Sequence, residues 1–439
     1  MLRAHNPSLA GFRSLTLGDW RQFDRVEIAF HPQLTVLTGE NATGKSTLLG
    51  ILARHFNWMR PYYALPGNQA SPDTRRQRVE PTAYGDPIGF LGYNDGTETA
   101  IVTPLPVIDA TTRTQYDLVL PAQQTVKGVY LTSHRSSPGN YTQVDSIPTN
   151  FTSIDQLYNE FDQDTQTAWK SEYTGRTPQR TLKTQLMAAA MFGSVSENNE
   201  SVEYSEESAT VWYGFMDILK LLMPESLRFE HLRVRSPDLL IVTASGTFLW
   251  DDASGGLIAI IEMAWKLFLR SRGSGQITVV IDEPENHLHP SLQRNLMPKF
   301  IEAFPQAQFI VATHSPFIAT ARAESAVFAL MRPSQAEYAE AQHISGSRSV
   351  VARELDYKNK AASADQTLRQ VLGLDSTTPL WAEQLFNQIV ARHSYVEPTP
   401  STLEELRREL RQSGLESFFP DALSALMDQL SNQSKPEAQ

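Results

Sequence analysis

The sequence predicts an α/β protein built on a parallel or mixed core sheet, and three stretches carry that expectation. Leu34 to Leu37 is a short apolar run that passes into Gly39-Glu40-Asn41-Ala42-Thr43-Gly44-Lys45-Ser46-Thr47 and then into the helix-forming Leu48, Leu49, Ile51 and Leu52. Ile277-Thr-Val-Val-Ile281 is a continuous apolar run of the kind found in strands buried on both faces, and it ends in Asp282-Glu283. Gln308 to Ala312 is another, ending in Thr313-His314-Ser315. Buried strands alternating with helices belong to α/β architectures.

The first stretch fits the phosphate-binding pattern G-x-x-x-x-G-K-[ST] and supplies its context, a strand before and a helix after. Its glycines let backbone N–H groups turn inward around an anion, and the helix N-terminus adds the positive end of its dipole. Lys45 is placed to reach the β- and γ-phosphates of ATP, and the Ser46 hydroxyl to hold Mg²⁺.

Composition sets the outer limits. The chain has 439 residues, 41% of them hydrophobic and 20% charged, which suits a large globular body of more than one part. A net charge of −11 argues against a surface that binds nucleic acid over its whole extent, although a local basic groove stays possible. There is no cysteine, so disulfides, thiolate metal sites and cysteine nucleophiles are excluded. No stretch approaches the roughly 18 apolar residues of a membrane span, and the N-terminus lacks the apolar core of a signal peptide, so a cytoplasmic protein with no membrane partner is expected.

Along the chain, Leu9 to Leu15 and Val26 to Phe30 alternate as strands, and His31-Pro32 marks a turn before the loop strand. After the loop a helix runs to about Phe56. Residues 61 to 84 are Pro- and Arg-rich, with Arg75, Arg76 and Arg78 clustered, and read as a loop. Residues 86 to 130, including Val129-Tyr130-Leu131, read as an antiparallel sheet beside the loop. Helical spacing takes over at Ile154, Leu157, Tyr158 and Phe161, again at Leu182, Leu186 and Met187, and at Val211, Phe215, Ile218 and Leu222. No heptad persists, so no long coiled-coil arm is expected. Strands return at Leu232 to Leu249. From about Gly346 the composition reads as helical, with Thr402 to Glu405 as a capping box for a helix from Leu403 to Arg411. Four segments follow: 1–150 with the phosphate loop and β lobe, 151–230 as a helical insert, 231–345 with the acidic strand, and 346–439 as a helical region.

The chemistry concentrates at strand ends. Asp282 is expected to hold Mg²⁺ through water, and Glu283 to polarise the attacking water as general base. His314, at the end of the next strand, can hydrogen-bond a γ-phosphate. Ser254-Gly255-Gly256 opens a helix and offers a second anion-binding turn. One loop already holds the phosphates, so this turn points to an anion brought by a second copy of the chain.

Together these residues resemble the ABC-type P-loop ATPase heads, nearer to the SMC and OLD-like branch than to transporters. The resemblance runs over roughly residues 9 to 330 and rests on Gly39 to Ser46 with Asn41, the signature turn Ser254 to Gly256, Asp282 with Glu283, the D-loop-like Glu285 to Pro290, and His314. It implies a mixed core sheet with an antiparallel β lobe, a short helical insert and a helical C-terminal region. It also implies ATP and Mg²⁺ as ligands, and ATP sandwiched between two heads so that the signature serine of each reaches the γ-phosphate of the other. No glutamine can be placed as the loop residue coordinating Mg²⁺; Gln123 and Gln124 are the nearest. Tyr130 to Arg135 resembles a strand-plus-arginine segment of OLD-like ATPases, with Arg135 facing either nucleotide or the insert. Nothing after Ser315 carries the Asp-x-Asp pair of an OLD-type nuclease, and Asp356-Tyr357-Lys358 with Pro237-Asp238 is read as chance. His287 and His289 are read as packing residues. The implied function is that of stand-alone AAA-family ATPases of anti-phage systems such as OLD, Septu or PARIS, which control a separate nuclease or toxin subunit. The alternatives are a DNA-clamping repair or chromosome ATPase and an ATP-dependent scaffold.

Overall fold

The computed structural model of the protein describes residues 11–64, 87–103, 114–135, 144, 151–172, 175–194, 204–272, 275–332, 350–356, 364–370, 378–393 and 399–433. The chain divides into two units, Met1–Gly373 and Leu374–Gln439.

In the first unit β1 (Phe12–Trp20) and β2 (Phe23–Ala29) alternate buried and exposed side chains and pair antiparallel. β3 (Leu34–Gly39) is buried throughout and delivers the chain to α1 (Lys45–Ala53). β4 (Tyr62–Ala64) pairs with β7 (Thr114–Tyr116) as a separate small ribbon, while β5 (Pro87–Tyr93) and β6 (Glu98–Val102) extend the antiparallel set from β1. β8 (Gly128–Leu131) leads toward α2 (Ile154–Trp169), α3 (Pro178–Gly193) and α4 (Glu206–Leu222). A three-stranded antiparallel sheet follows, of β9 (Phe229–Arg235), β10 (Asp238–Thr243) and β11 (Gly246–Leu249). The chain then alternates through α5 (Gly255–Ser271), β12 (Ile277–Asp282), α6 (Pro290–Ala303), β13 (Ala307–Ala312), α7 (Pro316–Ala319), β14 (Ala326–Met331) and β15 (Val350–Glu354).

Among the described residues, ten strands share one sheet in the order β6-β5-β1-β2-β15-β14-β3-β13-β12-β8. The run β14-β3-β13-β12-β8 is parallel throughout, and β1, β2, β5 and β6 are antiparallel to their neighbours within the lobe. β15 joins the halves, parallel to β2 and antiparallel to β14. The α/β class expected from the sequence, with a mixed core sheet, an antiparallel lobe, a helical insert and C-terminal helices, is the one observed.

The continuous apolar runs have a direct cause. Val279, Ile281, Phe309, Val311, Leu34 and Val36 face a core made with α5, α6 and the insert helices. Val280, Ile310, Ala312 and Leu37, one residue out of phase, face a second core against α1 and the β lobe. Strands covered on both faces have no solvent side on which a polar residue could repeat.

Three features differ from the sequence expectation. Val129 to Leu131 is not part of the antiparallel lobe: β8 is buried and pairs parallel with β12. Val350–Glu354, in the stretch that reads as helical, is a strand; β-branched Val350 and Val351 slot between β2 and β14. In the second unit the capping box begins at Thr399, one turn before the expected site: Thr399 and Thr402 exchange backbone and hydroxyl hydrogen bonds, and Pro400 takes the first helical position. That unit packs helices Leu380–His393, Pro400–Gln412 and Phe419–Gln433 around Ile389, Val390, Leu406, Leu410 and Leu426. Arg75, Arg76, Arg78, Tyr357 and Lys358 lie outside the described residues. No helix among the described residues is long and apolar enough to cross a membrane.

A buried ion pair fixes the insert to the core. Lys266 of α5 is fully buried; its Nζ lies 2.6 Å from Asp162 Oδ1 of α2, donates to Tyr130 O at 2.9 Å, and sits over the Trp58 ring. Trp58 Nε1 and Gln166 Nε2 also donate to the Asp162 carboxylate. Burial lowers the Lys266 pKa, so losing its counter-charge would leave a desolvated ammonium behind. Asp162→Ala is expected to destabilise the protein by about 3–5 kcal/mol, read as the shift in a urea midpoint. Replacing the pair together, as Asp162→Leu with Lys266→Met, is expected to cost much less.

Candidate functional site

The site lies where three adjacent parallel strands end together. Leu37 of β3 is level with Ala312 of β13, and Ala312 with Asp282 of β12. Residues one to a few positions further along each chain therefore meet: the loop after Gly39, Thr313-His314 and Glu283.

The loop adopts its shape through positive φ angles at Gly39 (136°), Ala42 (60°) and Gly44 (98°). A Cβ at Gly39 would collide with the Leu330 carbonyl of β14, so only glycine lets the strand leave the sheet here. Gly44 caps α1, whose first residue is Lys45. Lys45 Nζ donates to Gly39 O and Glu40 O, both at 2.9 Å, and Thr43 Oγ1 donates to Glu40 O at 2.9 Å. The ammonium thus closes its own loop. Burial lowers its pKa to about 8, against the pull of Glu283, Asp282 and Glu285.

Opposite the lysine stands the acidic turn. Asp282 is 5% exposed, and burial raises its pKa while a hydrogen bond from Ser46 pulls it down. Its Oδ1 is buried without a hydrogen-bond partner among the described residues. A buried carboxylate oxygen left open beside a serine hydroxyl fits a hard cation such as Mg²⁺, which takes oxygen ligands and keeps several waters. No cluster of three or more acidic or histidine side chains suited to a metal occurs among the described residues.

Glu283 follows with φ 47°, a left-handed conformation that costs a residue with a Cβ on the order of 1 kcal/mol. Its Oε1 lies 3.9 Å from His314 Nε2, both side chains being one-third exposed. Its Oε2 accepts from Asn286 Nδ2 at 3.0 Å. Burial, and then Lys45, lower the pKa of His314, which keeps the imidazole neutral near pH 7. The backbone around His314 is set by Glu285: its Oε1 accepts from Thr313 Oγ1 (2.7 Å), His314 N (2.6 Å) and Ser315 N (3.1 Å).

Gly39 to Thr47, Asp282, Glu283 and His314 are therefore brought together as the sequence suggested. Ser254, Gly255 and Gly256 are not part of this hydrogen-bonded group. Ser254 is exposed at the start of α5, where its Oγ accepts from Leu257 N at 3.4 Å. Gln123 and Gln124 precede β8 and so sit at the amino edge of the parallel strands, the opposite end from the loop. His289 caps α6 by accepting from Ser291 N at 3.3 Å.

Four further contributors are given no definite role by the sequence. Glu285 and Asn286 lie in a segment read only as a D-loop; Glu285 binds the loop after β13, and Asn286 binds the loop after β8 and Glu283 itself. Arg135 donates to the Glu283 and Asp282 carbonyls at 3.0 and 3.4 Å, so it faces the acidic turn. Arg332, just beyond β14, donates to Ala42 O at 3.1 Å and lies 3.7 Å from Glu40. It belongs to no motif; the one signal for it is its place beyond a strand that neighbours β3.

A glycine-rich loop of the G-x-x-x-x-G-K-[ST] pattern faced by an acidic strand end, with a helical insert between them in sequence, is the arrangement of an ABC-type P-loop ATPase head. The chain belongs to the family described as "AAA domain, putative AbiEii toxin, Type IV TA system", whose model matches residues 34–320. It is similar to the "Septu protein PtuA" of Bacillus thuringiensis, 27% identical over 206 residues, which are 43% of this chain and 47% of that protein. It also resembles the "Retron Ec83 probable ATPase" of Escherichia coli, 43% identical over 65 residues, 14% of this chain and 12% of that one. The chain thus aligns with less than half the length of these relatives. Among solved structures it resembles the "SMC head domain from Thermotoga maritima", with TM-score 0.38 and 13% identity over 79% of this chain and 99% of that one.

Two expectations follow. An anion on the loop favours charged Lys45, so its affinity is full below the lysine's pKa of about 8 and declines above it. Titrating a phosphate-bearing ligand should show roughly tenfold weaker binding at pH 9 than at pH 7. Glu285→Ala removes the acceptor that orders Thr313 to Ser315; it is expected to cost about 2 kcal/mol in a denaturant melt and to loosen His314.

Proposed function

We propose that this chain is an ATP-hydrolysing ABC-type head that assembles with a second copy through bound nucleotide and controls a separate effector, a nuclease or toxin, in anti-phage defence. The observation that carries the hydrolytic reading is the meeting of Lys45, Ser46, Asp282, Glu283 and His314 at the ends of three parallel strands. The support for defence is the likeness to the Septu protein and the retron ATPase. The effector reading rests on that likeness alone, and the helices that follow β15 are its proposed docking part.

Mg²⁺, when bound, would neutralise negative charge on the phosphate oxygens. Ser46 and Asp282, the latter with its open Oδ1, are the residues that would hold it. Lys45 exchanges the Gly39 and Glu40 carbonyls for phosphate oxygens. The Glu283 carboxylate takes a proton from water as that water attacks the γ-phosphorus in line with the leaving ADP oxygen. Asn286 holds the other carboxylate oxygen and so aims the lone pair. Neutral His314, 3.9 Å from Glu283, is placed to donate to the γ-phosphate. Ser254, exposed and outside this group, is proposed to meet the γ-phosphate of the second copy, with the N-terminal N–H groups of α5 beside it.

Glu283→Gln keeps the size of the side chain and removes its basicity. ATP turnover is expected to fall at least about 100-fold. The same variant with ATP should run as a dimer or larger assembly by light scattering, and wild type with ADP as a monomer. Full turnover, or a variant monomeric with ATP, would overturn the reading; retention of duplex DNA by the ATP-bound form would move it toward a DNA clamp.

A further inference from the structure

The loop that leaves β8, Thr132 to Arg135, grips the acidic turn at several points. Arg135 Nη1 donates to Glu283 O at 3.0 Å and Nη2 to Asp282 O at 3.4 Å. Ser133 O accepts from Asn286 Nδ2 at 3.0 Å, and the same Asn286 amide donates to Glu283 Oε2 at 3.0 Å. One loop therefore holds both the peptide carbonyls and, through Asn286, the carboxylate of Glu283. The held residue needs holding. With φ at 47°, Glu283 sits where a residue with a Cβ is uncommon, and such a conformation persists only when its surroundings fix it. Turning the Glu283 peptide would release the Arg135 bond and swing the carboxylate away from His314 together.

The other side of the same arginine faces the insert. Thr132, His134 and Arg135 line a cavity of about 250 Å³ with Phe161 and Trp169 of α2 and Glu262 of α5. The guanidinium spans the wall between this cavity and the acidic turn, with carboxylates on both sides: Glu262 attracts it most strongly, then Glu285, Asp282 and Glu283. Burial lowers its pKa to about 10, which leaves it charged at neutral pH.

We infer that Arg135 is a positioning residue for Glu283: it sets the general base through the two peptide carbonyls, without touching nucleotide, and makes that setting depend on how the helical insert packs. The inference rests on Glu283 acting as the base. A planar fork with fixed N–H directions suits two successive carbonyls; a lysine ammonium can serve one.

The test compares Arg135→Met, Arg135→Lys and Glu283→Gln with wild type, measuring kcat and KM for ATP, binding of a non-hydrolysable ATP analogue, and thermal melting. Misplacement of a base by about 1 Å costs roughly 100-fold in rate, so Arg135→Met is expected to lose about 10- to 100-fold in kcat. Analogue affinity should stay within about twofold, because the guanidinium N–H groups are engaged by the Glu283 and Asp282 carbonyls. Arg135→Lys should fall between the two. Wild-type kcat in Arg135→Met, with Glu283→Gln inactive, overturns the positioning role and leaves the hydrolytic reading intact. Full turnover in Glu283→Gln overturns the hydrolytic reading itself. A kcat loss matched by lost analogue binding or a collapsed melt marks Arg135 as structural and also overturns the inference. If Arg135→Met does not fold, Arg135→Lys decides: reduced kcat at unchanged analogue affinity supports the role, and unchanged kcat overturns it.

Discussion

The site depends on one register. β3, β13 and β12 run parallel, with Leu37, Ala312 and Asp282 side by side. A parallel ladder cannot slip by one residue without turning every buried side chain to the opposite core, and both cores are apolar. The packing of Val279 and Ile281 on one side and Val280 on the other therefore fixes where the strand ends, and the strand end fixes where Glu283 stands relative to Lys45. The same logic keeps the β14 carbonyl of Leu330 against Gly39, which is why that glycine has no substitute.

Around that register the charges are arranged to be completed. Asp282, Glu283 and Glu285 crowd one end of the sheet, and burial alone would discourage so many carboxylates. Three compensations are visible. Glu285 spends its charge on Thr313, His314 and Ser315; Glu283 stays one-third exposed and leans on Asn286; Asp282 accepts from Ser46 and leaves Oδ1 open. Lys45, short of water, rests on two loop carbonyls. On the proposed reading, the open Asp282 oxygen would take a metal ion and the lysine would trade its two carbonyls for phosphate oxygens.

Much of this was legible in the sequence because its signals are local. The loop, its flanking strand and helix, the two doubly buried strands and the acidic pair are each read within about ten residues, where periodicity and turn chemistry operate. What failed was of longer range. Val129 to Leu131 carries the β signal of the lobe strands before it, and only its partner β12, far along the chain, makes it a parallel core strand. Val350 to Glu354 is short and ends in charged Arg353-Glu354, so its composition does not reveal that it closes the gap between β2 and β14. Arg135 offered two readings, nucleotide or insert; its hydrogen bonds reach residues 147 and 148 positions away, a distance that no motif encodes. A glutamine was sought near residue 123 because the residue type was expected, but strand direction puts Gln123 and Gln124 at the wrong end of the sheet.

The turn Ser254 to Gly256 lies outside the hydrogen-bonded group, and its packing nevertheless links it to that group. Ser254 is exposed, yet two residues later Gly256 is pressed so closely on the D-loop segment that a Cβ would lie 2.6 Å from the His287 carbonyl. Only a glycine allows that approach. His287 itself has φ 68° and follows Asn286, the residue that holds the Glu283 carboxylate. If, as proposed, Ser254 meets the phosphate of a second copy, a load there would pass through the Gly256–His287 contact to Asn286, which holds the Glu283 carboxylate. Close-packed contacts transmit such displacement because they have little room to absorb it. On the proposed reading, two such copies would be coupled in both directions, each reporting its occupancy to Glu283 of the other.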